Sequence, residues 1–211
     1  MMSMNSKKKP LIILTGPTAV GKTSLSIGLA KALNGEIISA DSMQVYKHMD
    51  IGTAKIKPEE MQGIRHHLID ILEPTEEFHV ASFQELAKKA IHEIYEKGKC
   101  PIIVGGTGFY IQSVLYDIDF SETEKDSTYR KELESIAKEK GSRALHEMLK
   151  EIDFISYQTI HPNNIKRVIR ALEYYKQTGE KISAHNEVQR KRTSPYQFRY
   201  YVLSLSREIL Y

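Results

Sequence analysis

Short apolar runs alternate with stretches of helical periodicity through the first half of the chain. Leu11–Leu14, Glu36–Ala40 and Pro101–Val104 are brief and continuous, and read as buried strands. Between the first two, Leu25, Leu29, Ala30 and Leu33 recur at helical spacing, and Asn34-Gly35 marks the stop. Residues 47–80 show no period and are punctuated by Gly52, Pro58, Gly63 and Pro74, so they read as irregular. Ser82–Glu85 has the form of a capping box. The helix it opens carries Phe83, Leu86, Ala87, Ala90, Ile91 and Ile94 on one stripe and ends at Gly98. Strands alternating with helices predict parallel pairing through right-handed crossovers, hence an α/β, doubly wound parallel sheet. Such sheets bind ligands beyond the carboxyl ends of their strands. Three polar segments follow three predicted strands, Gly16–Thr23, Asp41–Gln44 and Gly105–Thr107, and should converge on one crevice.

From Ile118 to His185 the strand runs disappear. Leu133, Ile136 and Ala137 mark one helix, stopped by Gly141; Ala144, Leu145, Met148, Leu149 and Ile152 mark a second. Ile165, Val168, Ile169 and Leu172 mark a third, capped by Asn163 or Asn164 and ended near Gly179. Tyr200–Leu205 returns to strand character, and Ser206 reads as the N-cap of a helix starting at Arg207. The predicted organisation is a loose tail over 1–9, a core over 10–117 and 186–211, and a helical insertion over 118–185. One helical turn is an unstable ending, so the core is expected to be incomplete at its C-terminus and the chain to be a fragment of a longer protein.

Composition adds limits rather than chemistry. Hydrophobic residues make up 41% and charged residues 27%, an ordinary globular balance. No segment reaches the roughly 18 apolar residues of a membrane span, and Leu11–Leu14 is too short for a signal peptide. Cys100 is the only cysteine, which excludes an internal disulfide and suits a reducing cytoplasm. The formal net charge of +3 is unevenly placed: from Asn163 to Tyr201, nine Lys and Arg oppose three Glu. That stretch fits either a solvated helical face or a polyanion footprint.

Gly16–Thr23 matches the P-loop pattern G-x-x-x-x-G-K-[ST] between a strand and a helix. In such a loop Gly16, Pro17, Thr18, Ala19, Val20 and Gly21 wrap backbone N–H groups around a phosphate. Lys22 adds positive charge and the Thr23 hydroxyl is placed to ligate Mg²⁺. P-loop hydrolases also carry an apolar strand ending in Asp. The best match is Leu68–Asp70, a poor strand, which disfavours a GTPase or motor ATPase. Asp41 reads either as a turn residue or as an acceptor for a nucleophile attacking beside the phosphates. Thr107 could bond a bridging phosphate oxygen. Gly106–Gly108 is no dinucleotide fingerprint, because Ile111 occupies the third glycine position, and His66-His67 reads as packing rather than a metal site.

Taken together, Gly16–Thr23, Asn34–Tyr46, Met49–Lys55, His66–Asp70, Pro101–Thr107 and Ile160–Asn164 with Arg167 and Arg170 resemble the bacterial tRNA dimethylallyltransferases, from about Pro10 to the last residue. The resemblance implies transfer of a dimethylallyl group from dimethylallyl diphosphate to the exocyclic amine of the adenosine 3′ of the tRNA anticodon, with Mg²⁺ as cofactor. It implies that Asp41 accepts the amine proton, that Ser42, Met43 and Gln44 line the adenosine pocket, and that Lys22, Thr107 and Arg130 serve the reacting groups. Thr107 and Arg130 would also contact tRNA, and Lys166, Arg167 and Arg170 its backbone near the anticodon. The expected state is a cytoplasmic monomer. Three readings compete: a P-loop kinase recruiting Arg143, Arg167 and Arg170 to a lid, an isopentenyltransferase acting on free adenine nucleotides, and a non-catalytic RNA-binding module.

Overall fold

The computed structural model describes residues 8–120, 127–206 and 208. They divide into two compact units, one running through Ile118 and resuming at Thr193, the other Asp119–Arg192. In the first unit β1 (Pro10–Thr15), β2 (Gly35–Ser39), β3 (His66–His67), β4 (Cys100–Gly105) and β5 (Gln197–Val202) form one sheet in the order β3-β2-β4-β1-β5. Every pairing is parallel. The register sets Ile37 beside Ile102 and Ile38 beside Ile103. Because side chains alternate along a strand, the first pair faces one side of the sheet and the second the other. Ile37 and Ile102 pack with Ile27 and Ala30 of α1 (Lys22–Ala32). Ile38 and Ile103 pack under α2 (Val80–Glu96) and α3 (Gly108–Leu115), which bring Phe83, Ala87, Ile91, Ile94, Tyr110 and Ile111. Both faces are therefore covered, as the predicted parallel sheet requires.

Several expected details are displaced. The buried stripe of α1 is Ser26, Ile27 and Ala30, whereas Leu25 and Leu33 are exposed. Ser26 tolerates burial because its hydroxyl donates to the Thr23 carbonyl at 2.8 Å, so the polar residue is satisfied within the helix. The helix stops as expected, although Asn34 alone takes the left-handed conformation (φ 49°) and Gly35 already belongs to β2. The N-cap of α2 is His79, whose ring accepts from the Ser82 amide, so Ser82 lies inside the helix and no capping box forms. β5 starts three residues earlier than the apolar run suggested. It is an edge strand exposed along most of its length, so Gln197 and Arg199 fit it without burial. The helix expected from Arg207 falls largely outside the described residues, as do residues 1–7 of the tail. Lys8, by contrast, donates to the Ser194 carbonyl at 2.7 Å, and Lys9 sits over the Tyr95 ring.

The second unit contains α4 (Ser127–Lys140), α5 (Ser142–Ile152), α6 (Phe154–Thr159), α7 (Ile165–Thr178) and α8 (Ile182–Arg190). Leu133, Leu145, Leu149, Val168, Ile169 and Leu172 form its core, from the three stripes legible in the sequence. α6 and α8 carry weak stripes and are organised by a polar group instead. Buried Asp153 accepts from the Ser156 amide (3.1 Å) and hydroxyl (2.7 Å), and from the Ser183 amide (3.0 Å) and hydroxyl (2.7 Å). Burial works to raise the Asp153 pKa, but these four bonds outweigh it and hold the carboxyl below its usual range. With α8 included, the unit ends at Arg192, seven residues beyond the expected boundary at His185.

Candidate functional site

The loop after β1 is shaped by backbone constraints that the motif residues meet. Gly16 sits at φ 148°, and a Cβ there would lie 2.5 Å from the Leu203 carbonyl oxygen, just beyond β5. Gly21, the residue before α1, has φ 89°, and Ala19 also has positive φ. No side chain caps α1 and no acidic residue lies in its first turn. Its leading N–H groups and positive dipole end are thus left for an anion. Lys22 donates to the carbonyls of Gly16 (2.9 Å) and Pro17 (2.6 Å), so its ammonium rests on the loop it would serve. Burial pushes the Lys22 pKa down, and the charge of Asp41 pulls part of it back.

Asp41 follows β2. Its Oδ1 accepts from the amides of Met43 (2.8 Å) and Gln44 (3.3 Å), so it builds the turn at this strand tip while lining the cavity. The turn and the acceptor readings of Asp41 are compatible. The β4 tip clamps onto the β2 tip: the Thr107 amide donates to the Ala40 carbonyl at 3.3 Å, and any side chain at Gly105 would collide with that carbonyl. Thr107 itself caps α3.

Between these tips and α1 lies a cavity of about 370 Å³. Thr18, Ala19, Gly21, Lys22, Thr23 and Asp41 supply its polar end. Ile37, Ile56, Ile69 and Val104 give the lining its apolar part, beside His66 and Gln44. The predicted convergence of the Gly16–Thr23 and Asp41–Gln44 segments is present. From the third segment only Gly105 reaches the cavity, and Thr107 stands outside its lining. Among the lining residues the Thr23 hydroxyl and the Asp41 carboxylate are oxygen ligands, a chemistry that fits Mg²⁺ completed by phosphate oxygens. Among the described residues no cluster of three His, Cys, Asp or Glu could hold a metal by itself.

The apolar wall and its supports were not legible in the sequence. Gln44 donates to the carbonyls of Thr53 (3.2 Å) and Ala54 (3.3 Å) and accepts from Ser39, which ties the β2 tip to two other lining residues. The Lys55 side chain is covered and bonds the Tyr46 carbonyl and the carboxylates of Asp50 and Asp70. Asp70, the weak candidate for a hydrolase-type metal carboxylate, is thus engaged by a lysine. His66 donates from Nδ1 to the Ile64 carbonyl at 2.9 Å, and burial lowers its pKa.

The other predicted residues belong to the second unit. Arg130 makes a bidentate pair with buried Glu173, at 2.8 and 2.6 Å, which anchors α4 to α7. Lys166, Arg167 and Arg170 are exposed on α7, while Val168, Ile169 and Leu172 are buried.

Comparison with known proteins adds a family. The model of the IPP transferase family matches residues 44–211, beyond the P-loop. The chain is 66% identical over 203 residues to a tRNA dimethylallyltransferase of Lachnoclostridium phytofermentans, covering 96% of this chain and 65% of that protein. It is similar to the full-length tRNA isopentenylpyrophosphate transferase of Bacillus halodurans, with 49% identity, TM-score 0.63, and coverage of 97% of this chain and 62% of the other. A eukaryotic dimethylallyltransferase acting on tRNA matches with 36% identity and TM-score 0.81 over 92% of this chain and 48% of its own. The chain thus spans between about half and two thirds of the length of these relatives.

Proposed function

Because the chain belongs to the IPP transferase family, we propose that it catalyses transfer of a dimethylallyl group from dimethylallyl diphosphate to the exocyclic amine of the adenosine 3′ of the tRNA anticodon. The observation that carries this reading is the presence of Asp41, Lys22 and Thr23 on the wall of one cavity. The diphosphate rests on the Gly16–Thr23 loop. Lys22 leaves the carbonyls of Gly16 and Pro17 for the phosphate oxygens, and the N–H groups at the start of α1 meet the charge that grows as the leaving group departs. Thr23 would hold Mg²⁺, which would neutralise further charge on the diphosphate. Asp41 orients the amine and takes its proton as the carbon–nitrogen bond forms, because nitrogen becomes acidic at that moment. A carboxylate is otherwise a weak base toward a neutral amine. We assign the tRNA contact to Lys166, Arg167 and Arg170 and a positioning role to Thr107. The same reading assigns the reaction to the cytoplasm and to a monomer. Among the described residues no helix is long and apolar enough to cross a membrane. Arg130 enters this scheme only if it leaves Glu173.

The test is incubation with dimethylallyl diphosphate labelled in its five-carbon group, Mg²⁺ and unmodified tRNA. Label is expected in the RNA. Label absent from RNA, with phosphoryl transfer from ATP to a small hydroxyl substrate instead, would replace the reading by a kinase. Lys166→Ala is expected to weaken tRNA binding several-fold and to lower the slope of log affinity against log salt by about one. An unchanged slope would remove Lys166 from the interface.

A further inference from the structure

Lys55 is a covered lysine with every donor spent. Its side chain is 5% exposed. Its ammonium donates to the Tyr46 carbonyl (2.8 Å) and to the carboxylates of Asp50 (2.7 Å) and Asp70. An ammonium has three N–H groups, so these partners leave none for a ligand. Lys55 instead joins three stretches of chain that carry the cavity lining. It lies between Ala54 and Ile56, Asp70 follows Ile69, and Tyr46 lies two residues after Gln44; Ala54, Ile56, Ile69 and Gln44 all line the cavity. The Asp70 amide adds a bond to the Gln44 carbonyl at 3.1 Å. The same stretches hold backbone strain. Ala54 (φ 47°) and Asp70 (φ 53°) occupy the left-handed region without being glycine, a conformation that persists only where the surroundings over-determine it. Lys55 follows the first of these residues and bonds the second.

We propose that Lys55 is a positioning residue that fastens Ile56 and Ile69 into the cavity lining, so that the lining fits the five-carbon group of the donor. The proposal rests on the prenyl-transfer reading above. With the diphosphate on the Gly16–Thr23 loop, an attached hydrocarbon finds its apolar contacts at Ile37, Ile56, Ile69 and Val104. Ile37 and Val104 are fixed by the ladders of β2 and β4. Ile56 and Ile69 lie outside every strand and helix, and depend on ties made by their neighbours. The ion pairs add little to global stability, because Asp50 is 67% and Asp70 48% exposed to solvent. A methionine at position 55 removes the covered charge and keeps most of its volume, so the fold survives and the loss is local.

The experiment measures equilibrium binding of dimethylallyl diphosphate and of inorganic pyrophosphate, each with Mg²⁺, to the wild-type protein, Lys55→Met, Asp70→Ala and Asp70→Asn. Thermal unfolding of each checks folding. Pyrophosphate needs the Gly16–Thr23 loop alone, so it reports on the part of the site that Lys55 does not hold. Lys55→Met is expected to bind dimethylallyl diphosphate about tenfold more weakly, with pyrophosphate affinity unchanged. Asp70→Ala, which removes one tie from the solvent side and keeps the lysine, is expected to show the same pattern at about threefold. Asp70→Asn still offers Lys55 an oxygen and is expected to keep the wild-type values. An unchanged ratio of the two affinities in Lys55→Met and Asp70→Ala, whether neither ligand is weakened or both equally, overturns the positioning role and leaves the prenyl-transfer reading standing. A wild-type enzyme that forms no prenylated tRNA overturns both.

Discussion

Asp41→Asn is expected to slow prenyl transfer by about a thousandfold, within the range for removing a positioned general base, while affinity for tRNA stays near its original value. The choice of Asn follows from the double role of the side chain. Oδ1 accepts from the Met43 and Gln44 amides and so holds the turn at the tip of β2. An Asn oxygen can accept both bonds, so the turn, Met43 and the Gln44 ties to Thr53 and Ala54 remain, and only the proton acceptor is lost. Asp41→Ala removes both functions. Loss of the turn contacts adds about 1 kcal/mol of destabilisation and releases Met43, so tRNA affinity should fall in Ala and hold in Asn. Single-turnover transfer and equilibrium tRNA binding, measured on both variants, separate the two roles. Wild-type turnover in Asp41→Asn would end the assignment of Asp41 as proton acceptor. Equal tRNA affinity in both variants would mean the turn does not shape the nucleobase side.

The parts of this arrangement legible in the sequence are those set by local chemistry. The P-loop pattern demands left-handed or side-chain-free positions where the backbone bends around a phosphate, and Gly16 and Gly21 occupy them. Asp41 was marked by its place after an apolar strand. The stripes of α2, α5 and α7 were visible because each helix buries one continuous face. What escaped was decided by partners distant in the chain. Lys55 looks like a surface lysine until Asp50 and Asp70 fold around it. His66 and His67 form a strand only because β2 offers an edge, and nothing local in a two-residue segment specifies that. Resemblance assigned Arg130 to the reacting groups, and nothing local announces the pair its guanidinium makes with a glutamate forty-three positions away. The displaced face of α1 has the same origin. The leucines suggested one stripe, and the sheet it packs on selects another.

Glu36 shows how far such distant pairing can govern stability. Its carboxylate is buried at the start of β2, with the His67 Nε2–H at 2.8 Å, Lys97 at 3.0 Å and Lys99 at 2.9 Å. Burial alone would raise its pKa. The hydrogen bonds from His67, Lys99 and Lys97 reverse that and bring it down from 4.5 to about 2. A carboxyl group with a depressed folded-state pKa stabilises the fold fully above its unfolded value, near 4.5, and progressively less as pH falls toward 2. The shift corresponds to about 3 kcal/mol at neutral pH, an upper figure because the two lysines are about one-third exposed and solvent screens them. Glu36→Leu is therefore expected to destabilise the protein by about 3 kcal/mol at pH 7, since it leaves the buried His67 ring without its acceptor. Urea unfolding of both proteins from pH 7 to pH 2.5 checks the magnitude and the cause together. Other carboxylates titrate in both proteins and cancel in the difference, so the gap should stay constant down to about pH 4.5 and narrow below it. A gap of the same size at every pH would mean that Glu36 contributes shape alone, and that its ion pairs with Lys97 and Lys99 add nothing to the fold.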